Sequence, residues 1–374
     1  MVSLGFAFNF NIQRCEIEVG DEKRIVTEGY IPLVDTLLEF GLKADFFLSG
    51  YSSRLIAELQ PSLIDTIREN STSSFEIGTY TYTHPIPQLL LPEEFQKQIR
   101  KGLEIDKEIF GTTPSGFLPP EFAYSEEMAG ILYKEGISWI IILSSLISRS
   151  NPQLSNENFY FPYRTKGKNF LLTAVPAVYQ LPETPQRFFK LMMKGEIPVE
   201  AVIDGIRTFC DKYPDALLLL KRDAETIFID RINSGFSETL KVFRDFAKAI
   251  STLKNITSVR IGDFLHQHSP RQELRLIDHL GNTKLETFTE GEAKPIWDLT
   301  RKVRQALIQK EKKDRPSPSS EKAWEHLLLS HNSDGRIGYW YSEWNPGEHT
   351  VAPSRRLFIE ENLKKALEYI ENDS

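Results

Sequence analysis

Two carboxylates stand where a folded chain could use them together. Glu121 follows a short apolar run that stops at Pro119-Pro120. Two prolines fix φ and withhold two N–H donors, so they end a strand and stiffen the loop after it. Asp223 follows an almost uninterrupted apolar run, Ala216-Leu-Leu-Leu-Leu220, inside Lys221-Arg-Asp-Ala-Glu225. Two carboxyls on separate strand ends are the minimum equipment for cleaving a glycosidic bond. One attacks or stabilises the anomeric carbon. The other, with a raised pKa, protonates the leaving oxygen.

Other polar residues fall at predicted strand ends. Asn9 and Asn11 close the first strand, and Tyr80, Tyr82 and His84 follow the third. Tyr124 follows Glu121, and Glu225 follows Asp223. Asn9, Asn11, Tyr80, His84, Tyr124 and Glu225 are candidate substrate contacts. For His84 a structural hydrogen-bonding role stays open beside a sugar contact. For Glu225 a salt bridge with Lys221 or Arg222 is the expected role, with direct contact as the alternative. Trp340 and Trp344 lie in an aromatic cluster, Tyr339-Trp-Tyr341 and Trp344. That cluster is either a hydrophobic plug or a sugar-stacking platform. Asp334 is expected at a helix end or in a loop. One imidazole at position 84 does not make a divalent-metal site, so no metal and no cofactor are expected.

These groups meet only if strands deliver them to one place. Apolar runs at 4–10, 44–48, 75–78, 116–120, 137–143, 170–175 and 216–220 predict strands. Helical patterns fall between most of them, for example at 30–40, 92–111, 199–210 and 236–250. Pro61 is expected to break or kink a helix over 55–67. Continuous apolar strands joined by helices imply a parallel sheet buried on both faces. Seven such units fit a seven-stranded (β/α) barrel, whose active site forms at the carboxyl ends of the strands. No Gly-x-Gly-x-x-Gly or Gly-x-x-x-x-Gly-Lys follows any strand, which counts against a nucleotide enzyme. The barrel is expected over 1–268. A helical region is expected over 269–374, with helices at 297–308 and 324–329 and a final amphipathic helix through Ile359, Leu363, Leu367 and Ile370.

The 374 residues carry a net charge of −7. That argues against nucleic acid or an anionic membrane surface as the main partner and is compatible with a neutral carbohydrate. Two cysteines, Cys15 and Cys210, suggest neither a disulfide framework nor a zinc set. The first residues lack the basic stretch of a signal peptide, and no apolar run reaches the roughly 20 residues of a membrane span. A cytoplasmic location is expected. Oligomeric state is not legible.

Phe117-Leu-Pro-Pro-Glu-Phe-Ala-Tyr124 resembles the nucleophile motif of glycoside hydrolase family 57, and Asp223-Ala-Glu225 resembles its acid/base motif. The stretch from Glu76 to Leu90, with His84-Pro-Ile-Pro, is similar to that family's strand-three region. Leu327-Leu-Leu-Ser-His-Asn-Ser-Asp334 resembles its C-terminal helical motif. The four stand in the family's order and spacing. The resemblance implies a barrel followed by a helical region. It implies a retaining α-glycosidase or α-glucan transferase, with Glu121 as nucleophile and Asp223 as acid/base. The chain departs from the pattern at strand one, where Asn9 and Asn11 replace a histidine pair. It departs again at Leu118, where a tryptophan is expected, and after Glu225. A catalytically degenerate carbohydrate-binding barrel is therefore the alternative. A polysaccharide deacetylase-like esterase is a second alternative, because the strand-three region also resembles a deacetylase motif with Tyr80 in place of its first histidine.

Overall fold

The computed structural model describes residues 1–178, 181–233, 235–281, 284–313, 317–337 and 351–372. Seven strands run parallel: β1 (Val2–Phe10), β2 (Ala44–Leu48), β3 (Phe75–Thr79), β4 (Gly116–Phe117), β5 (Trp139–Leu143), β7 (Phe170–Ala177) and β8 (Leu217–Asp223). Their spatial order is β7-β5-β4-β3-β2-β1-β8. Three short strands add to this sheet. β6 (Tyr163–Gly167) runs antiparallel to β7, β9 (Ile256–Val259) pairs with β1, and β10 (Glu273–Leu274) pairs with β6.

The period-2 alternation of each strand sorts its side chains into two cores. Phe6, Phe8 and Phe10 of β1 face outward, with Leu218 and Leu220 of β8, and pack under the surrounding helices. Ala7, Phe47, Trp139, Ile141, Val175, Leu217 and Leu219 point into the barrel. Two glycines make room there. Gly78 lies opposite Phe47 and Gly116 opposite Trp139 in register. A Cβ on either would come within 2.5 Å of the facing ring. The two rings meet edge to face at 5.7 Å. Burying each such side chain contributes roughly 1.5–3 kcal/mol.

The same parity carries polar residues inward at the strand ends. On β8, Leu217 and Leu219 are followed inward by Lys221 and Asp223. Arg222 points outward to an ion pair with Asp230 at 2.6 Å. On β1, Ala7 is followed by Asn9, which sits in register with Asp223.

Pro61 begins a new helix, so the pattern over 55–67 is two helices, Gly50–Leu59 and Pro61–Glu69. After β9, Ile261 starts a helix, Ile261–Gln267. Helices Lys294–Lys313, Pro318–Leu329 and Pro353–Glu371 share a core of Val303, Leu307, Trp324, Leu327, Ile359 and Leu363. Residues 273–281 return to the barrel, where β10 joins the sheet and His279 pairs by backbone with Tyr124. Among the described residues no helix is long and apolar enough to cross a membrane.

Candidate active site

Glu121 sits in left-handed backbone at φ 53°, and Phe122 comes next at φ 55°. Such conformations strain a non-glycine residue, and surrounding structure must hold them. Pro119 and Pro120 hold this one from one side. Gly281, itself at φ +66°, holds it from the other. A Cβ there would lie 1.6 Å from the Glu121 carbonyl oxygen. Thr81 and His84 are also left-handed, at φ 68° and 59°. These four strained residues belong to the two loops that carry Glu121 and His84.

Asp223 is clamped between two cations. Arg14 Nη1 donates to its Oδ2 at 2.8 Å, and Lys221 Nζ donates to its Oδ1 at 2.8 Å. Arg14 is braced in turn by Glu16, whose Oε1 lies 2.8 Å from Nη2. Lys221 Nζ also stands over the Phe122 ring at 5.3 Å. Burial pushes the Asp223 carboxyl up, but Lys221 and Arg14 outweigh it and hold the group well below the usual range. Glu121 goes the other way. Burial raises it, the charges of Asp334 and Asp223 raise it further, and Lys221 and Arg14 offset only part, leaving it at about 8. At neutral pH the mouth therefore holds a protonated Glu121 beside an ionised Asp223.

A second chain of contacts joins the barrel to the helical region. The amide of Asn11 donates to Asp334 Oδ2. The same oxygen lies 3.2 Å from His84 Nδ1. His84 Nε2 lies 2.6 Å from the Tyr80 hydroxyl. Ser333 fixes this turn, its N–H donating to the His84 carbonyl at 3.1 Å and its hydroxyl lying 3.0 Å from Nδ1. Burial raises the Tyr80 phenol well above its usual value, and the charges of Glu121, Asp223 and Asp334 raise it further. Tyr80 thus remains a neutral hydroxyl among all three carboxyls. Asn9 Oδ1 and Asn11 Oδ1 are buried without a protein partner. Acceptors of that kind suit sugar hydroxyls.

Two expected contacts are placed elsewhere. Tyr124 is buried in the outer core, under the helices. Its alternation from Phe122 does not continue the inward face, because the positive-φ turn at 121–122 resets the register. Glu225 is fully buried and makes no salt bridge with Lys221 or Arg222. Its Oε1 accepts the Asn11 N–H at 2.5 Å and the Tyr30 hydroxyl. Burial raises its carboxyl first, and the net result is about 7. Tyr30 ends a single π-helical turn, Val26–Tyr30. Pro32 cannot donate to the carbonyl four residues back, which accounts for the break there. Glu225 is a support under strand one. Trp340 and Trp344 lie outside the described residues.

Three residues join the mouth beyond those expected from sequence. Asp334, expected at a helix end, sits in a one-turn 3-10 helix and reaches the mouth. Lys221 was legible from alternation alone, two positions before Asp223. Arg14 gave no signal, since it lies on an irregular loop after Asn11.

The model of the glycosyl hydrolase family 57 matches residues 11–277, more than half of the chain. The 4-α-glucanotransferase of Thermococcus litoralis superimposes with a TM-score of 0.76 at 17% identity, over 98% of this chain and 60% of that one. A branching enzyme from Thermococcus kodakaraensis gives 0.74 at 13% identity, over 98% and 90%. Chitin deacetylase 1 of Cryptococcus neoformans is 28% identical over 109 residues, 29% of this chain and 22% of that one. The chain thus spans 60% of the glucanotransferase's length and under a quarter of the deacetylase's. At these identities the structural likenesses speak to fold. The family match begins just after β1 and includes both carboxyls, and the chain belongs to glycosyl hydrolase family 57.

Proposed function

We propose that this chain acts on α-linked glucans as a retaining glycosidase or transferase, with Glu121 as nucleophile and Asp223 as acid/base. The observation that carries this is the electrostatic pairing of the two carboxyls at the ends of β4 and β8, with Asp223 among the groups that raise Glu121. The glucanotransferase and the branching enzyme support the substrate class. Tyr80, His84, Asn9 and Asn11 would bind sugar hydroxyls around the scissile bond, and Asp334 would hold His84 and Asn11 in place.

The charge state of the free mouth is the reverse of the one the reaction needs. The nucleophile must be ionised and the acid protonated. The first step is therefore a proton transfer from Glu121 to Asp223. It requires a sugar that draws Arg14 or Lys221 off Asp223, because both Asp223 oxygens are occupied by cations in the free protein. The test is turnover of malto-oligosaccharides and aryl α-glycosides by the native chain and by Glu121→Gln. Equal turnover by the two would remove Glu121 from the mechanism.

The same clamp favours a second reading, a carbohydrate-binding barrel that has lost catalysis. That reading predicts saturable oligosaccharide binding by calorimetry with no product after long incubation. Enzyme-dependent hydrolysis would eliminate it.

A further inference from the structure

We propose that the cavity at the seam between the barrel and the helical region binds one small monovalent anion, of chloride's charge and approximate size. Arg304, Arg336, His331, Thr300 and Ser333 line it, with apolar side chains of loop 86–90 and Trp297 completing the wall. Its free volume is about 10 Å³, room for a single water-sized particle. Phosphate, sulfate or a sugar acid would not fit.

Positive charge exceeds negative around this cavity. Two guanidinium groups border it. Arg304 Nε donates to Glu94 Oε1 at 2.6 Å, and its Nη2 donates to the Leu89 carbonyl at 2.9 Å. Arg336 is 3% exposed. Its hydrogen-bond partners among the described residues are neutral, the Ser330 carbonyl at 2.6 Å and Thr300 Oγ1 at 3.2 Å from Nη2. Among the described residues one carboxylate, Glu94, acts on Arg336, and Glu94 is already the partner of Arg304. Among the described residues two positive charges thus share one negative charge in a buried site. Burial, and then the Arg304 charge, push the Arg336 guanidinium down to about 10. An uncompensated buried charge is strongly unfavourable, and a counter-ion in the adjoining cavity relieves it.

His331 supplies an independent observation. It lines the cavity, and its Nε2 is buried with no protein partner. Its Nδ1 lies 3.5 Å from the Gln98 amide nitrogen, which already donates to Thr83 Oγ1 and to the Leu328 carbonyl. Burial and the two arginines hold this ring neutral, well below the ordinary histidine value. Ser333 forms part of the wall and grips His84, and Asp334 comes next in the chain and reaches the mouth. An anion here would pin the turn that carries Asp334.

The full chain is prepared in sodium gluconate, and chloride is titrated in at constant ionic strength. A saturable rise in melting temperature is expected, about 3 °C at a hundredfold excess over Kd. Arg336→Gln should lose the chloride-specific rise. A crystal soaked in bromide should show an anomalous peak in the cavity. Equal melting temperatures in chloride and gluconate, or the same chloride response in Arg336→Gln, would overturn the proposal. So would a water or a carboxylate of the chain at the bromide position. If Arg336→Gln does not fold, the bromide peak decides alone. No readout here depends on glucan turnover, so the anion site and the enzymatic reading fail separately.

Discussion

The barrel holds two pairs of inward carboxyls, one at each end of its strands, and their surroundings are opposite. At the amino-terminal end, Asp45 and Glu76 lie side by side in register on β2 and β3. Asp45 accepts the Ile261 N–H at 3.0 Å, and Glu76 Oε2 accepts the Gly262 N–H at 2.8 Å. Burial raises Asp45 well above its usual value, and the neighbouring Glu76 raises it further. Burial raises Glu76 as well. This pair caps the helix closing the barrel floor. At the carboxyl-terminal end, Asp223 is ionised and cation-bound while Glu121 keeps its proton. The floor solves the problem of buried acids by capping backbone N–H groups. The mouth solves it with side-chain charges on loops, which a ligand can displace. That difference is the physical ground for placing chemistry at the mouth.

The two ends also oppose each other in their dependence on pH. Asp45 and Glu76 are raised, so their contribution to stability is full below about pH 4 and is lost as pH rises through their folded values. Glu121 behaves likewise, between about 4.5 and about 8. Asp223 is lowered, so its contribution is present above 3.8 and is lost as pH falls below that.

Substitutions at the two ends should separate activity from stability. Asp223→Asn should lower kcat on malto-oligosaccharides by about 10²–10⁴-fold, the range for losing a proton donor, and should lower the melting temperature as well, because Arg14 and Lys221 lose their counter-charge. A large fall in stability with unchanged kcat would invert the comparison. Asp45→Ala should lower stability alone. It strips a partner from the Ile261 N–H and should cost about 2–4 kcal/mol in urea unfolding, with kcat at 25 °C unchanged. Gly281→Ala sharpens the contrast further. Its methyl would strike the Glu121 carbonyl, so kcat should fall about a hundredfold from displacement alone. Wild-type kcat in that variant would mean the loop yields without moving Glu121. Arg14→Met has the smallest effect. Removing one of two cations should raise the Asp223 pKa, moving the acid limb of the pH–rate profile up. An unmoved limb would show that Asp223 is not the titrating acid.

Local pattern carried much of this. The apolar runs gave the parallel strands, because strands buried on both faces must be apolar throughout. The prolines before Glu121 and the run before Asp223 gave both carboxyls, because strand ends are where such a barrel exposes polar groups. Alternation along β8 put Lys221 on the same face as Asp223. Partnership across the chain lay beyond local pattern. Arg14 meets Asp223 across 209 positions, Tyr30 meets Glu225 across 195, and Asn11 meets Asp334 across 323. Tyr124 reads as a mouth residue in sequence, but the left-handed turn at Glu121 rotates it into the outer core. By itself the sequence determined where carboxyls would stand, since that depends on burial and backbone geometry within one segment. Only the tertiary structure decided which of them holds a proton, since that depends on charges brought from distant segments into a poorly solvated mouth.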